Sequence, residues 1–383
     1  MATAVITSVA RTERAAKESF YRPELDVVRF FAFLSVFVYH TLNSPLDQLL
    51  RRHVPVWFAQ LQVSISRAGA YGVDLFFVLS AYLITELLLR EKETRGSLNI
   101  KSFYLRRILR IWPLYYFFVP LAALVPFLNP DHEFTMKYVL GFLLLAGNWS
   151  TIAFGPPHSA ALPLWSVSVE EQFYLLWPPV VARLSRRKIA YAAIGMIVVA
   201  NLARVTVILL HGNGWSIWAN TLARLDPMAA GILLAVFLQG RAPNLGFGTR
   251  LLMIAGGVAG ITLTGHFAAP WGSGLPWLGT LVSFPAVAAA ATAIVAGAIG
   301  IAVRLRPLEY LGKISYGLYV YHQMCIWITD RFLHVQLGVL HVCLREVVAL
   351  TLTITVAAVS YTLLEKPFLN LKRKFTYVAS RPV

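Results

Sequence analysis

Ten apolar segments, each long enough to cross a lipid bilayer, occur along this chain of 383 residues. A spanning helix needs roughly 20 mostly apolar residues. The segments lie near 27–44, 71–89, 108–128, 164–183, 189–210, 216–239, 250–268, 277–302, 311–333 and 344–364. Only 14% of the residues are charged, whereas a typical soluble domain has about 25%. The sequence therefore predicts an all-α, polytopic integral membrane protein, and its many apolar residues argue against disorder.

An eleventh apolar segment, 136–148, is too short to span, and such runs are more often re-entrant or interfacial. With ten spans and a cytoplasmic N-terminus, 25 of the 34 Lys and Arg residues fall in cytoplasmic segments. An eleventh span would turn the basic cluster at 183–188 outward, against the positive-inside rule. We therefore predict ten spans with both termini in the cytoplasm. The expected parts are a tail at 1–25, a transmembrane domain at 26–365 and a basic tail at 366–383.

The formal net charge of +16 has the same explanation. In a soluble protein this excess of basic residues would suggest a nucleic-acid partner. Here it is typical of cytoplasmic loops at a membrane surface, and we expect no nucleic-acid partner. Cys325 and Cys343 both lie in apolar segments and form neither a disulfide framework nor a metal-binding motif. No metal site is expected.

Ionisable residues inside membrane spans are costly and usually functional. Arg29 and His40, in the first span, are eleven residues apart and so share one helix face. Asp26, one turn earlier, is expected to pair with Arg29. The other polar residues within spans are Asp74, Ser80, Ser166, Ser168, Glu170, Glu171, Arg224, Asp226, Ser315, Tyr316 and His322.

On the predicted topology, the ionisable groups of five spans come to a similar depth in the outer half of the bilayer. These groups are those of His40, Asp74, Glu170, Asp226 and His322. A shared polar cavity would explain that depth. For a single membrane histidine, a hydrogen bond to a neighbouring helix is an equally good interpretation.

Arg106, Arg107 and Arg110 lie where the third span begins, in the segment FYLRRILRIWPLYYF. Arg107 and Arg110 are three residues apart and share a helix face. Guanidinium groups bind phosphates through paired hydrogen bonds, and the positive end of the helix would add to that attraction. The segment indicates either a cytoplasmic anion site or ordinary positive-inside anchoring.

Several motifs resemble, in order, those of the membrane acyltransferase-3 family, and the resemblance covers about residues 21–367. They are RPELDVVRFFAFLSVFVYH, GVDLFFVLS, FYLRRILRIWPLYY, LWSVSVEEQFYLLWP, RLDPMAAG, LGKISYGLYVYH and a closing EKP. One departure is Ala81, where the family usually has Gly, and we expect it to alter helix packing only. A fused SGNH-type hydrolase domain is not expected.

The resemblance implies an enzyme that moves acyl groups, most often acetyl from acetyl-CoA, onto sugar hydroxyls. Family acceptors include surface polysaccharides, nodulation factors, peptidoglycan and macrolides. By resemblance, Arg29 and His40 correspond to the family's essential Arg/His pair. Arg107 and Arg110 correspond to its second arginine pair, and Glu170 to its conserved glutamate. Acyl-CoA is then a donor substrate, with no permanently bound cofactor, and the plasma (inner) membrane is the expected location.

The working hypothesis has CoA enter from the cytoplasm, where Arg106, Arg107 and Arg110, with Arg29 as a further candidate, hold its phosphates. His40 would act as general base or would itself carry the acyl group. Glu170 or Asp74 would orient its imidazole, as a carboxylate does in triads. Tyr316, Ser168 or Ser315 would donate to the thioester oxyanion. Substrate contacts are expected from Tyr316, His322, Ser168 and Asp226.

Two other functions are compatible with parts of the pattern. Polar residues at a shared depth also mark transport paths, so an exporter of a lipid-linked sugar or acylated metabolite is the main alternative. The missing internal repeats and the cytoplasmic arginine pair argue against it. A membrane scaffold or sensor without catalysis would leave the His, Glu and Asp residues of similar depth unexplained.

Overall fold

A computed structural model describes residues 20–42, 46, 54–128, 133–267, 277–333 and 339–376. Within these ranges the chain is helical and contains no β-strand. The all-α prediction is confirmed for this part of the chain. Most of the predicted N-terminal tail, residues 1–19, and the end of the C-terminal tail, residues 377–383, lie outside the described residues.

The helices are numbered here in chain order. They are α1 Pro23–Leu42, α2 Val56–Gly69, α3 Gly72–Arg95, α4 Ile100–Leu128, α5 Met136–Leu143, α6 Gly147–Phe154, α7 Trp165–Arg183, α8 Arg186–Leu209, α9 Gly214–Trp218, α10 Leu225–Leu238, α11 Phe247–Phe267, α12 Trp277–Ala298, α13 Arg306–Lys313, α14 Ser315–Phe332, α15 Val339–Ser360 and α16 Lys366–Lys372. Short 3₁₀ turns lie at Leu162–Leu164, Leu222–Arg224 and Arg373–Phe375, and a π-helical turn at Tyr361–Glu365.

Seven stretches of the described chain are long and apolar enough to cross a membrane. They are Pro23–Leu42, Val56–Arg95, Ile100–Val125, Arg186–Leu209, Phe247–Phe267, Gly279–Ala298 and Val342–Phe375. The predicted spans near 164–183, 216–239 and 311–333 contain α7, α10 and α14, which are shorter or more polar. The chain is a multi-pass membrane protein, while the count of ten spans and the cytoplasmic termini stay predictions.

The short apolar segment at 136–148 is broken into two pieces. Helix α5 has eight residues and is therefore about 12 Å long, far short of a bilayer core. The chain turns back at Leu145, whose φ of 56° is left-handed, and α6 packs against α5. Gln172 of α7 secures this turn by donating to the carbonyl of Leu145 at 3.1 Å and to Asn148 at 3.0 Å.

Helix α3 lies at the centre and packs against α1, α7, α10 and α12. Its crossing with α10 is very close, because a Cβ added to Gly231 would collide with the backbone carbonyl of Val78. Ala81 is wholly buried at this crossing and faces Gly231. The methyl group of Ala81, which the family's usual Gly would lack, therefore fits because Gly231 of α10 has no side chain.

Two ion pairs hold α3, α8 and α10 together. The Arg224 guanidinium lies 2.7 Å from the Asp74 carboxylate, and both side chains are completely buried. Arg204 pairs with Asp226 in the same layer. The guanidinium of Arg224 also lies 4.3 Å from the ring centre of Trp218. Buried charges need such partners, since an unpaired one in a low-dielectric interior is very costly.

Candidate active site

A polar cavity of about 140 Å³ lies between α1, α3, α4, α7 and α14. Its ionisable and hydroxyl-bearing lining includes Arg29, Arg107, Arg110, Glu170, Tyr174 and Tyr316. These residues come from four helices that are far apart in sequence. Of the five ionisable groups predicted to share one polar cavity, only that of Glu170 lines this one.

Arg29 is fixed at one end of this cavity. Its guanidinium donates to Asp26 at 2.8 Å, as the one-turn spacing predicts. Asp26 also accepts a hydrogen bond from the Tyr21 hydroxyl at 3.0 Å. The Arg29 side chain is 18% exposed while that of Asp26 is buried, so the pair presents a cation to the cavity.

Arg107 and Arg110 face the same cavity from α4. The guanidinium of Arg107 lies 5.5 Å from the ring centre of Phe103 and 5.6 Å from that of Tyr174. Its Nε is buried without a hydrogen-bond partner among the described residues. Arg110 forms no hydrogen bond or ion pair with that part of the chain, and Glu365 attracts it electrostatically without a direct contact.

These two arginines therefore keep their hydrogen-bond donors for another molecule. An anion with several oxygens would satisfy them, because guanidinium forks bind such groups strongly. The positive N-terminal end of α4, which was expected to strengthen anion binding, is too far from Arg107 to do so. Helix α4 begins at Ile100, about 10 Å before Arg107 along the axis, and helix-end effects fade within one turn.

Arg106 is turned away from the cavity, which corrects its predicted role as a donor-binding residue. It donates to Glu91 at 3.0 Å and to the carbonyl of Phe375 at 2.8 Å. These contacts join α4 to α3 and to the last described turn of the chain. Of the three neighbouring arginines, only Arg107 and Arg110 lie on the side of α4 that faces the cavity.

Glu170 lines the middle of the cavity. The hydroxyls of Ser80 and Tyr174 adjoin its carboxylate, and its Oε1 is buried without a hydrogen-bond partner in the described structure. Glu171 points elsewhere and accepts a hydrogen bond from the Trp112 indole at 3.0 Å. Of the two adjacent glutamates, only Glu170 lines the cavity.

The cavity closes at Ser166 and Tyr319, whose hydroxyl oxygens are 2.7 Å apart. The Tyr319 hydroxyl also donates to the carbonyl of Pro163 at 2.9 Å. Ser315 and Tyr316 line the wall beside them, but the Tyr316 hydroxyl is engaged with the carbonyl of Ile111 at 3.0 Å. Tyr316 therefore contributes its ring, and not a free donor, to the cavity.

Ser168 does not reach the cavity, contrary to expectation. Its hydroxyl accepts from the backbone N–H of Gly147 at 3.2 Å, at the start of α6. Two residues along a helix are about 200° apart, so Ser168 faces away from Ser166. Ser168 thus anchors the α5–α6 turn and cannot donate to a thioester in the cavity.

Asp74 and Asp226 are also absent from the cavity. Each is held in the buried ion pairs with Arg224 and Arg204. Neither carboxylate can then orient the His40 imidazole or bind a substrate. The predicted cluster separates into three groups: the two paired acids, Glu170 in the cavity, and the two histidines outside it. Asp74 of α3 and Asp226 of α10 both belong to the α3–α8–α10 contact and not to the cavity lining.

His40 and His322 meet beyond the closed end of the cavity. Their ring centres are 5.1 Å apart, and His322 contacts Tyr319, which separates the pair from the cavity lining. His322 is wholly buried. Arg29 and His40 therefore lie on the same helix, α1, but Arg29 lines the cavity whereas His40 packs on His322 outside the lining.

Three hydroxyl-bearing residues of the cavity lining were not predicted from the sequence: Tyr21, Tyr174 and Tyr319. Tyr174 follows Glu170 by one helical turn, so the spacing alone predicts that both side chains lie on the same face of α7. Within the described residues, no group of three His, Cys, Asp or Glu side chains is placed to hold a metal ion.

The chain is similar to bacterial proteins named for O-acetyl transfer. It is 28% identical over 380 residues to YrhL of Bacillus subtilis, named as a candidate peptidoglycan O-acetyltransferase, covering 91% of this chain and 55% of YrhL. It is 25% identical over 379 residues to the peptidoglycan O-acetyltransferase OatA of Listeria monocytogenes, covering 93% of this chain and 57% of OatA. The chain thus spans about half the length of these relatives.

No solved structure matches the chain significantly. A family profile described as an acyltransferase domain, however, matches residues 22–363, which takes in every cavity helix and both histidines. On this match, the chain belongs to the acyltransferase-3 family.

Proposed function

We propose that this protein is a membrane-bound O-acetyltransferase that transfers an acetyl group from acetyl-CoA to a hydroxyl of a cell-envelope glycan. One observation carries the proposal most directly. Two cavity arginines, Arg107 and Arg110, lack hydrogen-bonded anionic partners among the described residues, and a histidine pair packs against Tyr319 at the far side of the cavity lining. An anionic donor and an acyl-transfer centre are the two parts such an enzyme needs.

The donor is held by its phosphates at the arginine end. Arg107 and Arg110 supply forked donors, and Arg29 adds a third cation already positioned by Asp26. A cavity of about 140 Å³ is smaller than pockets for drug-sized ligands, which hold about 300–1,000 Å³. It would therefore take the narrow pantetheine arm, leaving the adenosine part outside the cavity at the cytoplasmic surface.

In this proposal the Ser166–Tyr319 contact, which closes the cavity toward the histidines, opens so that the acetyl group can reach His40. In direct transfer, His40 takes the proton of the acceptor hydroxyl, whose oxygen bonds to the acetyl carbon as the carbon–sulfur bond breaks. The proton passes to the departing thiolate. In the covalent alternative, His40 itself carries the acetyl group first. Trapping of a labelled acetyl group on His40 distinguishes these two courses.

The acceptor is proposed to be peptidoglycan or another polysaccharide of the bacterial envelope. Support comes from the names of the relatives in Bacillus subtilis and Listeria monocytogenes. The multi-pass architecture supports a transfer centre within the membrane, with a cytoplasmic donor and an acceptor at the outer face of the plasma membrane.

The test is the release of CoA from acetyl-CoA by protein in nanodiscs supplied with glycan fragments. We expect His40→Ala to abolish most turnover, about 100-fold or more. Arg187→Gln, a change to an exposed arginine outside the cavity, is the matched control and should leave turnover unchanged. Wild-type protein that binds no CoA and releases none with any acceptor would favour the exporter.

A further inference from the structure

The imidazole of His322 is buried, and three rings pack against it. Their centres lie 6.1 Å away for Phe33, 5.5 Å for Tyr319 and 5.1 Å for His40. The residue has no exposed surface. Burial of a polar ring without full hydrogen bonding is unfavourable. The hydrogen-bond partners of its two nitrogens therefore indicate the role of the residue.

One nitrogen has a fixed role. Nδ1 lies 2.6 Å from the backbone carbonyl oxygen of Tyr319. A carbonyl can only accept a hydrogen bond, so Nδ1 must carry the proton. In the neutral ring, Nε2 is then left with a lone pair and acts as an acceptor.

The second nitrogen lacks a partner. Nε2 is buried, and no donor among the described residues reaches it. Phe33 has no polar atom to offer, and the Tyr319 hydroxyl is already engaged with Ser166 and Pro163. Of the three packed rings, only His40 has an N–H to offer, and its side chain forms no hydrogen bond to the described residues.

We propose that His322 is the positioning residue for His40, with its Nε2 accepting an N–H from the His40 imidazole during transfer. This inference rests on the proposed function. It gives His322 the task for which a carboxylate was expected, since Asp74 is paired with Arg224 and Glu170 lies on the cavity side of Tyr319. A centre-to-centre separation of 5.1 Å is compatible with one N–H···N hydrogen bond between two imidazoles.

The proton balance follows directly. The acceptor hydroxyl gives its proton to the free nitrogen of His40, while the opposite N–H of His40 is held by His322 Nε2. His322 shares the hydrogen bond and keeps its own Nδ1 proton on the Tyr319 carbonyl. The proton gained by His40 then leaves with the CoA thiolate, and both histidines return to their starting state.

Two conservative variants separate this role from simple anchoring. His322→Gln places an amide oxygen near the position of Nε2 and keeps an acceptor for His40. His322→Asn reaches only the Nδ1 position and keeps the bond to the Tyr319 carbonyl. We expect kcat to fall about 10- to 100-fold in His322→Asn and within a few-fold in His322→Gln. KM for acetyl-CoA should stay unchanged in both, because the arginine end is untouched.

Cys325→Ala, at a buried position one turn along α14, is the matched control and should keep kcat. Equilibrium binding of CoA shows that each variant is folded. The proposal for His322 is overturned if His322→Asn keeps a near wild-type kcat while His322→Gln does not, or if the two variants have equal kcat. Absence of transfer in the wild-type protein would instead overturn the proposed function, so the two failures are distinguishable.

Discussion

The molecule contains two groups of membrane-embedded arginines with opposite surroundings. Arg204 and Arg224 are completely buried, and each has a carboxylate partner. Arg107 and Arg110 line a cavity and have no such partner among the described residues. The first group completes its own charge balance within the protein, whereas the second does so only when an anion binds.

The difference shows how membrane arginines divide between structure and function. A buried ion pair whose partner is lost becomes a large destabilising defect. An arginine whose ligand is absent adds little to folding and determines affinity for that ligand. The same substitution should therefore change stability in one region and donor affinity in the other.

The largest effect is expected at the buried pair. Arg224→Leu leaves Asp74 as an unpaired buried charge, and loss of one partner typically costs about 3–5 kcal/mol. Thermal unfolding in detergent should show a much less stable protein, or none that is folded. Adding Asp74→Leu should restore most of the stability, because an apolar pair of similar volume is often tolerated. Equal stability of wild type and Arg224→Leu would contradict the interpretation.

The next effect is expected at the cavity pair. Arg107→Ala removes charge-assisted hydrogen bonds to the donor, each worth about 1.5–3 kcal/mol, so KM for acetyl-CoA should rise about 10- to 100-fold. Arg110→Ala should behave alike, with kcat largely kept. The unfolding temperature of both variants should match wild type. A fall in stability with KM unchanged would place these arginines with the structural group.

Arg106 provides a comparison within one turn of helix. Arg106→Gln loses its ion pair with Glu91 and its contact with the Phe375 carbonyl, and should cost about 1–2 kcal/mol of stability. KM for acetyl-CoA should change less than threefold, which steady-state kinetics beside Arg107→Ala can resolve. A KM increase as large as that of Arg107→Ala would show that Arg106 also binds the donor.

The smallest effect is expected outside the spans. Arg304 hydrogen-bonds to Glu309 and so holds the pKa of that carboxyl below its ordinary value. The pair stabilises the fold above the ordinary carboxyl pKa, and the contribution is lost as the pH falls through the lowered value. Arg304→Gln should leave KM unchanged, and its small loss of stability at neutral pH should vanish in acid. A difference that persists in acid would rule out this pair as its cause.

The sequence by itself determined the all-α membrane architecture and which residues of α7 share the face that lines the cavity. Ser166, Glu170 and Tyr174 are spaced four residues apart on α7 and all line the cavity. Ser168 and Gln172 lie on the other face and secure the α5–α6 turn. The periodicity of a helix fixes which of its residues point the same way.

Only the tertiary structure decided which faces meet. Asp74, Glu170 and His322 come to similar predicted depths, yet Asp74 pairs with Arg224 and His322 packs on His40. Depth depends on position along one helix, which the sequence supplies. Which side chains contact each other depends on the rotation and crossing of neighbouring helices. Those are set by side-chain packing across the bundle, such as the close α3–α10 contact at Gly231, and no local pattern contains that information.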